Sequence, residues 1–347
     1  TFDVTPDSAS LYVVGGQNGQ LKVVDAEVGS EQVALVGHKG DITTCRFFPS
    51  GQVVLSGSTD LQLKIWSAIN GSNPVTLTGH TKTITDTGIV GRGRTVLSTS
   101  RDGTVRLWEC GTSRQLAKLD IGLDNLGQGS STLGSSSPFV LDQVLKIALD
   151  SPTTPMSPTD AEATTGFVST ERGFLHRFDT RQMQHVVSTT QSPDGAPLTA
   201  LACNTMSSMV VSGSQLGVLE IWDTRRLDRR LSALQRNDAP IHDLAWIDSL
   251  SSGTSELTGP SVAAVTGDGL SFITQLSSTG DENVVHSAQV THELTGTDID
   301  PLYCVRVAPG LPSSTLSLNH RRDQKQGLPR RFPSIFVAGR DGIIKRY

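Results

Sequence analysis

The chain predicts an all-β fold of short antiparallel strands, and three observations carry that expectation. The first is an internal repeat. GHKGDITTCRFFPSGQVVLSGSTDLQLKIWS (37–67) and GHTKTITDTGIVGRGRTVLSTSRDGTVRLWE (79–109) are two copies of one pattern. Gly37-His38, Asp60 and Trp66 recur as Gly79-His80, Asp102 and Trp108, 42 residues on. A period of about 40–45 residues with a Gly-His start and a Trp end marks a four-stranded propeller blade. The second is composition: 34 Gly, 16 Pro and 36% hydrophobic residues suit many short strands joined by turns. The third is length. At 347 residues the chain holds seven such repeats plus loops, so the expectation is a seven-bladed β-propeller forming one domain over 1–347.

The elements follow from local chemistry. In the second blade, 37–78, Ile42–Phe48 alternates into an inner strand a, and Pro49-Ser50-Gly51 makes the turn. Val53–Ser56 gives strand b, Ser58-Thr59-Asp60 the corner, Leu63–Ser67 strand c and Val75–Thr78 the outer strand d. The third blade, 79–120, repeats this. Residues 1–36 read as a degenerate first blade: Asp7-Ser8 turns, Asn18 holds the corner, Val24 stands for Trp, and Val33–Val36 is strand d.

Beyond 120 the rhythm loosens. Segments 121–137 and 150–165 are rich in Ser, Thr, Gly and Pro, too poor in apolar surface to offset ordering entropy, and are expected to be flexible. Between them FVLDQVLKIAL (139–149) fits a strand a or a short amphipathic helix, with the strand favoured. It opens a fourth blade, 138–190, with Phe178 for Trp and Arg172 for the corner Asp. Ser151-Pro152, Thr154-Pro155 and Ser157-Pro158 would suit a proline-directed kinase, though such dipeptides are common by chance. The fifth blade, 197–234, keeps Trp222 and has Leu216 at the corner. Its arginines, Arg225, Arg226, Arg229, Arg230 and Arg236, have no interleaved aromatics to stack bases. A solvated face partly paired with Asp223 and Asp228 fits them better than nucleic acid. The sixth blade, 239–290, carries a Ser-rich insertion at 249–260. The seventh, 300–347, carries a long basic insertion at 311–333 and ends with Asp341 six residues before Tyr347. It has strands a, b and c but no d, whose natural donor would be residues preceding Thr1.

Net charge is −5, which recruits neither nucleic acid nor an anionic membrane. No window approaches the roughly 18 apolar residues of a membrane helix. Cys45, Cys110, Cys203 and Cys304 stand alone, which favours free buried thiols over disulfides or zinc and a reducing compartment, cytoplasm or nucleus. No phosphate-binding, nucleophile-elbow, zincin or dinucleotide motif follows a predicted strand, so the expectation is a binding module without catalytic residues, cofactor or metal.

The repeats resemble the WD-repeat family. That resemblance implies two hydrogen-bonded structural tetrads, His38, Ser56, Asp60 with Trp66, and His80, Ser98, Asp102 with Trp108. Three further stretches sharpen it: 47–68, 92–112, and ELTGTDIDPLY (293–303) with AGRDGIIKRY (338–347). Together they look like the WD-repeat proteasomal ATPase-associated factors, assembly chaperones of the 19S regulatory particle base. The resemblance implies a monomer, cytoplasmic and nuclear, that binds the C-terminal domain of a proteasomal AAA+ ATPase subunit and acts sterically.

The expected contact surface is the face with the d–a and b–c loops. Glu293, Asp298 and Asp300, in the connection entering blade seven, form an acidic rim for a basic partner, or the two aspartates cap their own turn. Thr59, Arg101, Glu171 and Arg340 flank the corners of the same face. Two rival expectations stay open. One is a scaffold of another complex, such as a ubiquitin-ligase receptor or a ribosome-biogenesis factor. The other is an enzyme using the central channel.

Overall fold

The computed structural model describes residues 1–6, 9–122, 141–150, 165–204, 207–247, 260–277, 287–294, 300–308, 334–339 and 342–347. The expected turn at Asp7-Ser8, nearly all of the loops expected to be flexible, and Asp298, Arg340 and Asp341 lie outside them.

The described strands form seven antiparallel sheets, each built from consecutive strands. The first is β1 (Phe2–Val4), β2 (Leu11–Gly15), β3 (Leu21–Asp25) and β4 (Glu31–Ala34). The second is β5 (Ile42–Phe47), β6 (Val53–Ser58), β7 (Gln62–Ser67) and β8 (Val75–Thr78). The third is β9 (Ile84–Val90), β10 (Thr95–Ser100), β11 (Thr104–Glu109) and β12 (Arg114–Asp120). The fourth is β13 (Val144–Leu149), β14 (Thr165–Thr170), β15 (Phe174–Asp179) and β16 (Val186–Gln191). The fifth is β17 (Leu198–Asn204), β18 (Met209–Ser214), β19 (Val218–Asp223) and β20 (Arg230–Gln235). The sixth is β21 (Ile241–Ile247), β22 (Ser261–Thr266), β23 (Ser271–Ser277) and β24 (Ser287–Glu293). The seventh has three described strands, β25 (Leu302–Ala308), β26 (Ser334–Gly339) and β27 (Ile344–Arg346). No described residue is helical, and 144–149 is a strand. This is the seven-bladed, all-β propeller that the repeat predicts.

One boundary moves. The first outer strand is Glu31–Ala34, not Val33–Val36, and Val36 is 83% exposed. The Asp25 carboxylate accepts the amides of Glu27 and Val28, closing the preceding turn early and starting β4 sooner.

The buried apolar residues fall into seven clusters, one per blade-to-blade seam. Strands b are buried on both faces because each is sandwiched between neighbouring blades; MVVSGS and SVAAVT are buried throughout. The seam between blades seven and one packs Phe2, Val4 and Ala9 against Cys304, Ala308 and Phe336. There the Cys304 thiol meets the Phe2 carbonyl at 3.4 Å, and Arg306 Nε donates to Asp3 Oδ1 at 3.2 Å.

Six of the seven inner strands carry a β-bulge at their second residue, namely Thr43, Thr85, Leu145, Thr199, His242 and Tyr303. A bulge re-aims the side chains that follow it. The inner strands present six charged residues to one another around the axis, five of them on bulged strands and Asp3 on the regular β1. In ring order they are Asp3, Arg46, Asp86, Lys146, Asp243 and Arg306, with Ala200 and Ala202 at the matching positions of blade five. The signs alternate. Arg46 Nη2 donates to Asp86 Oδ1 at 3.1 Å, and Arg306 Nη1 to Asp243 Oδ2 at 2.6 Å. Lys146 lies close enough to draw down the pKa of both Asp86 and Asp243. Burial alone would push the Asp243 carboxyl up, but Arg306, Lys146 and the Val305 amide hold it at about 2.

Candidate partner-binding face

Two tetrads fix the loops of the upper face, where strands b turn into c and strands d lead to the next strand a. His38 Nδ1 lies 2.8 Å from Asp60 Oδ2, His38 Nε2 lies 2.7 Å from Ser56 Oγ, and Trp66 Nε1 donates to Ser56 Oγ at 2.8 Å. The second set has the same distances: His80 to Asp102 at 2.8 Å, His80 to Ser98 at 2.7 Å, Trp108 to Ser98 at 2.8 Å. Proton bookkeeping gives each group its role. An aspartate only accepts, so the histidine proton sits on Nδ1; the serine accepts from Trp and donates to Nε2. Each aspartate also accepts backbone amides, Lys39 and Gln62 for Asp60, Thr81 and Thr104 for Asp102. Against the cost of burial these donors hold both carboxyls below the usual range. Burial also lowers the His38 pKa, so the ring stays neutral. These are satisfied structural networks that pin the Gly-His connection to the b–c corner.

Blade six contains a reduced version that the spacing alone did not reveal. Asn237 stands where His38 does and donates to Asp268, which takes the corner and also accepts from Thr266. The signal was available: Asp268 precedes Thr274 by the offset that separates Asp60 from Trp66. Blade five keeps only the Trp222-to-Ser212 bond, 3.1 Å, with Leu216 at the corner.

The expected contact residues divide in three. Thr59, Arg101 and Glu171 are exposed at b–c corners of blades two, three and four, and Asp300 is exposed on the connection into blade seven. All four belong to the upper face. Glu293 does not lie in that connection. It closes strand β24, pairs with Phe272 in register and accepts a hydrogen bond from Arg236, whose guanidinium lies 5.4 Å from the Phe272 ring centre. Strand pairing runs further than the blade limit of 290 suggests because Ser271 and Leu294 continue the ladder. Asp298 and Arg340 lie outside the described residues.

Sequence reasoning missed the apolar residues of this face: Leu216 is 49% exposed, Leu270 40% and Tyr303 46%. The His242 and Tyr303 rings lie tilted at 45° with their centres 5.1 Å apart. Gln235 bridges the Leu216 carbonyl and Asp238, so the corner of blade five and the connection to blade six are continuous.

Among the described residues no group of three His, Cys, Asp or Glu could hold a metal, and no helix is long and apolar enough to cross a membrane. The channel carboxylates Asp86 and Asp243 are ionised beside cations, which removes them as proton donors near neutrality. All four cysteines are free. Cys45 and Cys304 are buried, whereas Cys110 and Cys203 are only half-buried, a departure from four buried thiols. Burial pushes Cys45 up to about 12 and Cys304 and Cys110 to about 11, leaving little thiolate for reaction.

His176, 2% exposed on β15, is a buried titratable group outside the tetrads. Its Nδ1 meets Thr189 Oγ1 at 2.8 Å, and burial lowers its pKa from the ordinary 6.5 to about 4. The unfolded chain therefore takes up a proton that the fold refuses. Stability is fully present above pH about 6.5 and is lost as pH falls toward about 4, by about 3 kcal/mol. Urea midpoints measured at pH 7 and pH 4.5 should show this loss, and His176→Gln should flatten it.

These features define a WD-repeat β-propeller protein. WD40 (WD domain, G-beta repeat) matches residues 29–67 and 71–109. Among its relatives is Probable proteasomal ATPase-associated factor 1 of Dictyostelium discoideum, 39% identical over 304 residues. The match covers 84% of this chain, and the chain spans 66% of that relative's length. The expected resemblance to the proteasomal ATPase-associated factors is thus met by a relative that bears that name.

Proposed function

We propose that this propeller is a non-enzymatic chaperone or adaptor that binds the C-terminal domain of a proteasomal AAA+ ATPase subunit. In doing so it assists assembly of the 19S regulatory particle base, in the cytoplasm and nucleus. The observation that carries the proposal is the 39% identity, along 84% of the chain, to a relative named for proteasomal ATPase association. Shielding a surface needs a rigid platform, not turnover. The two tetrads and the paired channel charges supply the rigidity.

The experiment is affinity purification followed by mass spectrometry, with direct titration of recombinant ATPase C-terminal domains. One ATPase subunit should be recovered with the propeller. A purification dominated by ubiquitin-ligase or pre-ribosomal subunits, with no proteasomal ATPase, would overturn the proposal. Asp298→Lys with Asp300→Lys should weaken the complex mainly by slowing association, with the melting temperature unchanged. Unchanged affinity would remove the acidic rim while leaving the partner.

A further inference from the structure

Among the described residues, the upper face carries opposite charge on its two halves. On blades two to four, Lys39, Lys82, Arg101 and Arg172 are exposed, and none makes an ion pair with a described residue. The Gly-His connections hold the first three at the corners: Ser100 Oγ donates to the Lys82 carbonyl at 2.9 Å, and the Arg101 amide to the Thr83 carbonyl at 3.0 Å. The Lys39 amide donates to Asp60 at 3.0 Å. The tetrads thus place Lys39, Lys82 and Arg101 on rigid backbone, and Arg172 stands at the tetrad-free corner of blade four. The arc's exposed carboxylates are Asp41, which accepts the Asn18 amide at 2.9 Å, Glu171, and Asp120 at the end of β12, which pairs with Lys118 at 2.6 Å. Among the described residues of blades five to seven the exposed charges of this face are instead Asp194, Asp238 and Asp300, with Glu293 already bonded to Arg236.

We infer that the basic arc of blades two to four, Lys39, Lys82, Arg101 and Arg172, is a second docking site that takes an acidic segment of the protein partner whose basic part meets the acidic half. This deepens the proposed function and rests on it for the partner's identity. A single-sign face would let a partner rotate about the propeller axis. Two arcs of opposite sign oppose every rotated pose with like charges, which sets one orientation.

The test uses the full chain and two triple variants, Lys39→Glu/Lys82→Glu/Arg101→Glu for the basic arc and Asp194→Lys/Asp238→Lys/Asp300→Lys for the acidic one. A short fluorescein-labelled oligoglutamate peptide, titrated at about 50 mM salt, should bind the wild type saturably. The basic-arc variant should bind it at least about tenfold more weakly, with an unchanged melting curve, and the acidic-arc variant should bind at least as well as wild type. Equal binding by the basic-arc variant, or no binding by the wild type, would overturn the inference. So would an oligouridine RNA that outcompetes the peptide, since the arc would then read a nucleic acid. Recombinant ATPase C-terminal domains form the second arm. If one binds the wild type, both variants should weaken it, and loss in the acidic-arc variant alone counts against the inference. If none binds while the oligoglutamate result holds, the arc stands and the named partner falls.

Discussion

Replacing Arg306 with Met is expected to destabilise the propeller by about 3–5 kcal/mol, the cost of leaving buried charges unpaired. Arg306 serves two carboxylates, Asp243 at 2.6 Å and Asp3 at 3.2 Å, and its side chain is only 19% exposed. Asp3 belongs to blade one and Asp243 to blade six, so one guanidinium joins three neighbouring blades across the seam where the ring closes. The described contacts across that seam include this charge link, the Cys304 thiol on the Phe2 carbonyl and the Phe2–Phe336 cluster. Denaturant midpoints measure the loss. Adding Asp243→Leu to Arg306→Met should recover part of it, because the second change removes the orphaned charge. A single variant as stable as wild type would mean that the ring contributes nothing to closure.

The second large effect is expected at Trp66. It is fully buried, packs in the seam between blades one and two, and donates to Ser56. Trp66→Ala should cost about 3–5 kcal/mol for the lost aromatic volume. Trp66→Phe keeps most of that volume and removes the indole donor, leaving a cost near 1 kcal/mol for one hydrogen bond. The difference between the two separates packing from the polar network. If calorimetry finds the two variants equally stable, volume is not what Trp66 contributes.

The tetrads were legible through the WD-repeat resemblance, which the spacing of His38, Ser56, Asp60 and Trp66 carries, and the register of strands b and c brings the four together. The blade-six pair was harder because Asn237 and Thr274 replace the two residues that make the pattern visible, while the geometry survives in Asp268. The channel charges were missed for another reason. Asp86 or Arg306, seen singly, is one polar position in an alternating strand. Only the fold, with bulges in five of the strands concerned and the ion pairs between neighbouring blades, reveals that these residues face one another. Glu293 shows the limit of reading boundaries. Its role depends on Arg236, 57 residues away in sequence and adjacent only in the fold.

An odd ring cannot be two-coloured. With seven members, plus and minus taken in turn must collide once, and the chain avoids the collision by leaving the fifth member uncoloured at Ala200 and Ala202. An acid introduced there would face Asp243, and a base would face Lys146. An eight-membered ring would have no such vacancy, so the pair of alanines is the trace that parity leaves in the sequence.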